Sequence, residues 1–148
     1  MKTAAVMTRD VVVVSPTVTV GGAARMMERL SVRHLPVIEA GRLVGILSDR
    51  DLREHRSAGR ADVTCGEAMT PAPVTCSSGT SIGRVAELML EHKIDSVPVV
   101  GPSGTLVGLV TSTDLLSLLV ERDQVQALPF DFRLRIAGSD GDALALAA

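Results

Sequence analysis

The chain repeats itself, and that repeat constrains its fold more than any other feature. Met7-Thr8 matches Met69-Thr70, and the same offset (69 − 7 = 62) carries Val20-Gly21 onto Ile82-Gly83, Met27 onto Met89, and Leu35-Pro36-Val37 onto Val97-Pro98-Val99. One extra residue near Pro102-Ser103 moves the offset to 63. Gly41, Leu43-Val44-Gly45, Ser48 and Asp51-Leu52 then fall on Gly104, Leu106-Val107-Gly108, Thr111 and Asp114-Leu115. Two copies of one supersecondary unit must therefore share a local fold, and their mutual packing is the main structural question.

Each copy reads as the same series of elements. A β-branched segment, Val11 to Val14 or Val74-Thr75, precedes Thr19 or Ser81, whose hydroxyl is placed to cap a helix. Helices over Val20 to about Ser31 and Ile82 to about Lys93 follow, with apolar residues at three-to-four spacing. Two short apolar runs come next, Leu35 to Ile38 with Leu43 to Leu47, and Val97 to Val100 with Leu106 to Val110. Glycine-containing turns separate the runs, so each pair reads as a hairpin. A second helix begins near Asp49 and near Ser112.

The fold class is therefore α/β (α+β): two β-α-β-β-α repeats, 1–60 and 61–122, joined by a polar linker from Ser57 to Gly66. A three-stranded sheet of this size leaves an apolar face open, so the copies are expected to pack sheet to sheet about a pseudo-twofold axis with a cleft between them. Residues 123–148 lie beyond the repeats. There Leu128, Phe130, Phe132, Leu134 and Ile136 alternate with polar residues or proline, the pattern of a strand over 128–136, and Gly138 to Ala148 reads as a disordered end.

Composition narrows the function classes. With 15 basic and 17 acidic residues the formal charge is −2, which gives no global field for nucleic acid or a membrane surface. The chain has no Trp or Tyr and two Phe, so stacking platforms for single strands are missing from the repeats. No apolar run reaches the roughly 18 residues of a membrane span. Cys65 and Cys76 lack zinc-ligand spacing and read as reduced thiols, which fits a cytoplasmic protein.

The most informative local pattern is G-h-h-[ST]-x-x-D, where h is apolar, at Gly45 to Asp51 and again at Gly108 to Asp114. Ser48 and Thr111 sit where a strand turns into a helix, among first-turn amides that suit phosphate oxygens. Asp51 and Asp114 fall three residues on, where a carboxylate can accept both hydroxyls of a ribose. Gly45 and Gly108 leave room for a base to approach the backbone, and Val37 and Val99 are expected to wall a purine. The same [ST]-x-x-D pattern is also a capping box, in which hydroxyl and carboxylate only satisfy helix amides, and both readings stay open.

Together with Leu35-Pro36-Val37 and Val97-Pro98-Val99, these motifs resemble those of the CBS domain family over about residues 5 to 120. The resemblance implies a tandem CBS pair, or Bateman module, with a regulatory role. Its expected ligand is AMP, ADP or ATP, with or without magnesium, and less so S-adenosylmethionine or NAD. Implied site residues are Ser48, Asp51, Thr111, Asp114, Gly45, Gly108, Pro36, Val37, Pro98 and Val99. Arg33 and His34, before the first apolar-Pro-Val element, resemble phosphate contacts of the family. The second copy has Asp95 and Ser96 there, of which Ser96 is also an implied site residue, and Thr113 where the first has Arg50, a further phosphate candidate beside Arg33 and His34, so the phosphate side is expected to be unequal.

The resemblance also implies a homodimer, two pairs joined through their helices into a flat disc. The core should take most of Met26, Met27, Met89, Leu30 and Leu90, and the exposed remainder should meet a second subunit. The alternative is a ligand-free adaptor whose motifs are only caps and whose 128–136 segment docks a protein partner. Catalysis is not expected: the motifs hold no nucleophile with a base, no carboxylate pair and no metal-ligand spacing, and nothing resembles a phosphate-binding Gly-Lys-[ST] loop.

Overall fold

The structure is a computed structural model that describes residues 1–122. The strand expected over 128–136 and the disordered end expected beyond it lie outside the described residues. In chain order the elements are α1 (Val20–Leu30), β1 (His34–Glu39), β2 (Arg42–Ser48), α2 (Asp49–Ser57), α3 (Cys65–Ala68), β3 (Thr70–Pro71), α4 (Ile82–His92), β4 (Ser96–Val100), β5 (Leu106–Thr111) and α5 (Ser112–Arg122).

Local chemistry accounts for the helix ends. Thr19 Oγ1 accepts from the Gly22 amide at 3.1 Å and Ser81 Oγ from the Arg84 amide at 3.2 Å, each satisfying a donor that the helix cannot. Ser31 and Lys93, at equivalent positions, close α1 and α4 in the left-handed region, both with φ of 54°. The hairpins form as expected, with Leu35 opposite Leu47 and Val97 opposite Val110. In both, the register shifts at the same place, after Val37 and after Val99.

The leading β-branched segments depart from expectation. Neither Val11 to Val14 nor Val74-Thr75 forms a strand; single parallel bridges join Val14 to Val37 and Cys76 to Val99. Pro16 cuts the first segment short, and Pro71 and Pro73 withhold two amides just ahead of the second. The residues before these segments cross to the opposite copy. Thr70–Pro71 pairs antiparallel with Gly45–Ile46 of the first hairpin, and Thr8 bridges Leu109 of the second. Each hairpin thus gains its outer neighbour from the other repeat, a reciprocal exchange that fits a pseudo-twofold relation.

The exchange explains the motif glycines. A Cβ on Gly45 would overlap the Met69 side chain and lie 3.0 Å from the Thr70 carbonyl oxygen. A Cβ on Gly108 would lie 2.7 Å from Met7 Sδ and 3.0 Å from the Thr8 carbonyl oxygen. The space expected to admit a base is filled by methionine from the opposite copy.

Two apolar clusters form, one within each repeat beneath its own helices. Val20, Met27, Leu35, Val37, Leu47 and Leu52 build the first, and Val85, Met89, Val97, Val99 and Val110 the second; Cys65 joins the first and Met7 the second. The copies therefore close most of their cores separately and are tied by the exchanged segments. The stretch expected to be a linker is also held: Val63 and Ala61 carbonyls accept from the Val20 and Gly21 amides at 2.8 and 2.9 Å, at the start of α1.

Candidate functional site

Strand alternation orients the first motif. Along β2, Gly45 and Leu47 are buried while Ile46 and Ser48 are half-buried on the opposite face, as a period of two requires. Ile46 and Ser48 open onto a cleft of about 560 Å³, within the range of small-molecule sites. The first copy lines it with Arg33, His34, Ser48, Asp49, Arg50 and Asp51, and the second with Lys93, Ile94, Asp95 and Ser96. Thr70 and the loop Ala72-Pro73-Val74 complete the wall, brought there by the crossover onto β2.

Of the residues singled out in the sequence, Arg33, His34, Ser48, Arg50, Asp51 and Ser96 meet in this cleft. Thr111 and Asp114 do not line it and form the equivalent motif of the other repeat. Val37 and Val99 are fully buried, and Pro36 and Pro98 are among the fully buried side chains. Their expected part in walling a purine is corrected: a ring reaching these side chains would have to open the packed core of each repeat. The apolar surface that does face the cleft is Ile46, Val74 and Ile94. The alternation of β2 pointed to Ile46. Nothing local in the sequence pointed to Ala72-Pro73-Val74, because their position depends on pairing between repeats.

Both motifs are closed capping boxes. The Ser48 amide and hydroxyl each donate to Asp51 Oδ2 at 2.8 Å, and the Asp51 amide donates to Ser48 Oγ at 3.2 Å. Thr111 and Asp114 repeat this at 2.7, 2.8 and 3.3 Å. The hydroxyl protons of Ser48 and Thr111 are therefore spent on carboxylates, and a phosphate expected at either hydroxyl would have to break the box. The box uses only Oδ2 of Asp51, which leaves Oδ1 as a further acceptor on a residue that lines the cleft, while Arg33, Arg50 and Lys93 supply cationic donors. Arg53 is already paired with Asp49 at 3.2 Å.

Burial pushes the His34 pKa below its ordinary value. Asp95 and Asp49 oppose that shift and Arg33 adds to it. Its imidazole is therefore neutral at neutral pH, and an anion beside it would favour the charged form. Cys65 and Cys76 are free and buried, and burial raises both thiols, away from thiolate reactivity. Among the described residues, no group of three or more His, Cys, Asp or Glu is arranged to hold a metal ion, and no helix is long and apolar enough to cross a membrane.

Comparison with known proteins agrees with the duplicated architecture. The CBS domain family model matches twice, over residues 4–58 and 65–121. The chain is 36% identical over 107 residues to inosine-5'-monophosphate dehydrogenase of Korarchaeum cryptofilum, covering 72% of this chain and 22% of that enzyme. It thus spans about a fifth of the length of that relative. Among solved structures it is similar to the CBS domain pair of protein MJ0100 in complex with 5-methylthioadenosine and S-adenosyl-L-methionine, with a TM-score of 0.78 at 25% identity, covering 83% of this chain and 98% of that one. It is also similar to CBSX2 in complex with AMP, with a TM-score of 0.73 at 28% identity and the same two coverages.

Proposed function

The chain belongs to the CBS domain family, and from that premise we propose that it is a regulatory, non-enzymatic module that binds an adenine nucleotide between its two repeats. The observation that carries this reading is the composition of the cleft, where Arg33, His34, Arg50 and Asp51 of one copy face Lys93 and Asp95 of the other across an apolar wall. In this reading the base lies against Ile46, Val74 and Ile94, and a ribose hydroxyl donates to the free oxygen of Asp51. The phosphates lie toward Arg33, His34 and Arg50, charge-assisted contacts that favour a phosphorylated nucleoside over a neutral one. The ligand is AMP, ADP or ATP, the last two with or without magnesium. The AMP bound by CBSX2 and the adenosyl compounds bound by the MJ0100 pair support the adenine part of the reading.

A ligand touching both repeats stabilises one relative arrangement of them by its differential affinity, and a partner protein can read that change. We place the protein in the cytoplasm as a homodimer. A second reading, a ligand-free adaptor that binds a protein partner, is favoured by one specific observation: in both boxes the hydroxyl and carboxylate satisfy each other and the adjoining amides, as plain helix caps do.

Scanning fluorimetry and calorimetry with AMP, ADP, ATP, S-adenosylmethionine and NAD distinguish the two. The nucleotide reading expects saturable stabilisation by AMP, ADP or ATP, about 2.7 kcal/mol at a hundredfold excess over Kd. If no adenosyl compound stabilises the protein at millimolar concentration, the adaptor reading replaces it.

A further inference from the structure

The duplication provides an internal control on charge. Arg25, Arg29 and Arg33 of the first copy stand where the second has Glu87, Glu91 and Asp95, and Arg53 and Arg56 stand where it has Leu116 and Leu119. All five arginines are exposed. The second copy forms the same two helices without them, so the fold does not require a basic face here. Between α1 and α2 lies a groove of about 470 Å³, lined by the apolar side chains of Ala24, Met27 and Leu52 and by the cationic ones of Arg33, Arg53 and Arg56. Arg25 and Arg29 extend the basic face along α1. The groove's acidic residues are Glu28 and Asp49, and Asp49 is already paired with Arg53. Arg33, Asp49 and Arg53 also line the cleft between the repeats, and the Asp49 amide donates to the Arg33 carbonyl at 2.9 Å. The two cavities therefore share a wall.

We propose that the α1/α2 groove docks an acidic amphipathic helix of a partner protein, and that a nucleotide in the cleft weakens the docking because both draw on Arg33. The coupling rests on the nucleotide reading above and names the partner that senses the cleft's occupancy. Chemistry selects this occupant. An apolar lining with a cationic rim complements a helix whose apolar stripe is flanked by carboxylates. A nucleic acid would use the arginines but not the lining, and no Phe, Tyr or Trp falls within the described residues to stack a base. A second copy of the chain fits poorly. Setting α1 and α2 against themselves would bring Arg25, Arg29, Arg53 and Arg56 toward their own duplicates. Setting them against α4 and α5 would lay Arg53 and Arg56 on the equivalent Leu116 and Leu119, burying charge without a partner, and Glu87 and Glu91 are already bonded to Arg84 at 3.1 and 2.9 Å. A phosphate held by Arg33 withdraws that guanidinium from the groove, so nucleotide and helix lower each other's affinity by the same factor.

The test uses the full chain and a fluorescent helical peptide of about four turns, with Leu on one stripe and Glu elsewhere. Its controls are the same pattern with Lys for Glu, an oligoglutamate of equal charge, and a single-stranded RNA of equal charge. Anisotropy should show saturable binding of the acidic peptide, at least about tenfold tighter than any control. Arg29→Glu with Arg56→Glu, both exposed and outside the cleft, should weaken the peptide at least about tenfold. The same variant should leave AMP affinity and the urea midpoint unchanged. Saturating AMP should weaken the peptide about fivefold or more in the parent protein, and Arg33→Gln should abolish that effect. Equal binding of oligoglutamate or RNA overturns the amphipathic helix as occupant, and no peptide binding overturns the docking surface. A change of mass in light scattering for Arg29→Glu with Arg56→Glu assigns the face to a second copy and equally overturns the proposal. AMP that binds without shifting peptide affinity overturns the coupling and leaves the nucleotide reading standing. AMP that does not bind overturns that reading and the coupling together, while the peptide arms alone decide the docking surface.

Discussion

Replacing Asp51 and Asp114 by alanine, one at a time, separates helix capping from ligand recognition, because the two residues share one capping geometry and differ in what they face. Each carboxylate accepts an amide and a hydroxyl within 2.8 Å. Losing either box leaves a half-buried amide short of a partner, so each substitution should cost about 1–2 kcal/mol of stability. In a domain of this size that is a fall of roughly 3–8 °C in Tm. Only Asp51 lines the cleft. Asp51→Ala should also lose a charge-assisted hydrogen bond to the ribose, worth about 1.5–3 kcal/mol, or roughly a ten- to hundredfold loss of AMP affinity. Asp114→Ala should leave affinity within about twofold. Urea unfolding followed at 222 nm measures the first effect and calorimetry with AMP the second. If Asp51→Ala weakens AMP no more than Asp114→Ala does, the assignment of the ribose to Asp51 is wrong.

Further outcomes follow from the same geometry. Because burial lowers the His34 pKa in the free protein and a neighbouring phosphate raises it, AMP affinity should be highest below the free pKa and decline as pH rises through the bound one. His34→Gln should flatten that profile in calorimetry. For stability the sign is opposite: the contribution of neutral, buried His34 is complete above pH about 6.5 and is lost as pH falls through the depressed value, which urea midpoints across pH 5 to 7 report. Gly45→Ala should destabilise by about 1–3 kcal/mol through overpacking. Adding Met69→Ala should restore part of this, since the side chain can be removed but the Thr70 carbonyl cannot; a Gly45→Ala protein as stable as the parent would refute the packing account of the exchanged segments. Arg33→Ala and Arg50→Ala should each weaken AMP about tenfold while leaving adenosine binding unchanged, and equal losses for both ligands would move the phosphates elsewhere.

The repeat made the long helices, the hairpins and both capping residues legible in the sequence, because helix and strand periodicities are local, whereas the short α3 and β3 and the loss of the leading strands were not. Thr19, Ser81, Leu35 to Ile38 and Leu106 to Val110 all play the parts that their patterns imply. What pattern alone could not supply is which copy a segment packs against. Met7 and Met69 sit in matching places of the repeat, but their exchange onto Gly108 and Gly45 depends on non-local pairing. The same limitation hid Ala72-Pro73-Val74 from the cleft. It also let Val37 and Val99, apolar and paired with the motif glycines, pass for ligand walls when β1 and β4 are buried on both faces there. The readings of Ser48-x-x-Asp51 as cap and as ribose site were both legible, and the structure shows the cap fully formed while leaving one carboxylate oxygen for the other role.

The most direct test of the central claim is an amide-shift titration of the isotope-labelled full chain with AMP. Binding between the repeats predicts saturable perturbations concentrated at Arg33-His34, Ser48 to Asp51, Ala72 to Val74 and Lys93 to Ser96, drawn from both copies at once. No perturbation at millimolar AMP, or shifts centred away from these four segments, would contradict it.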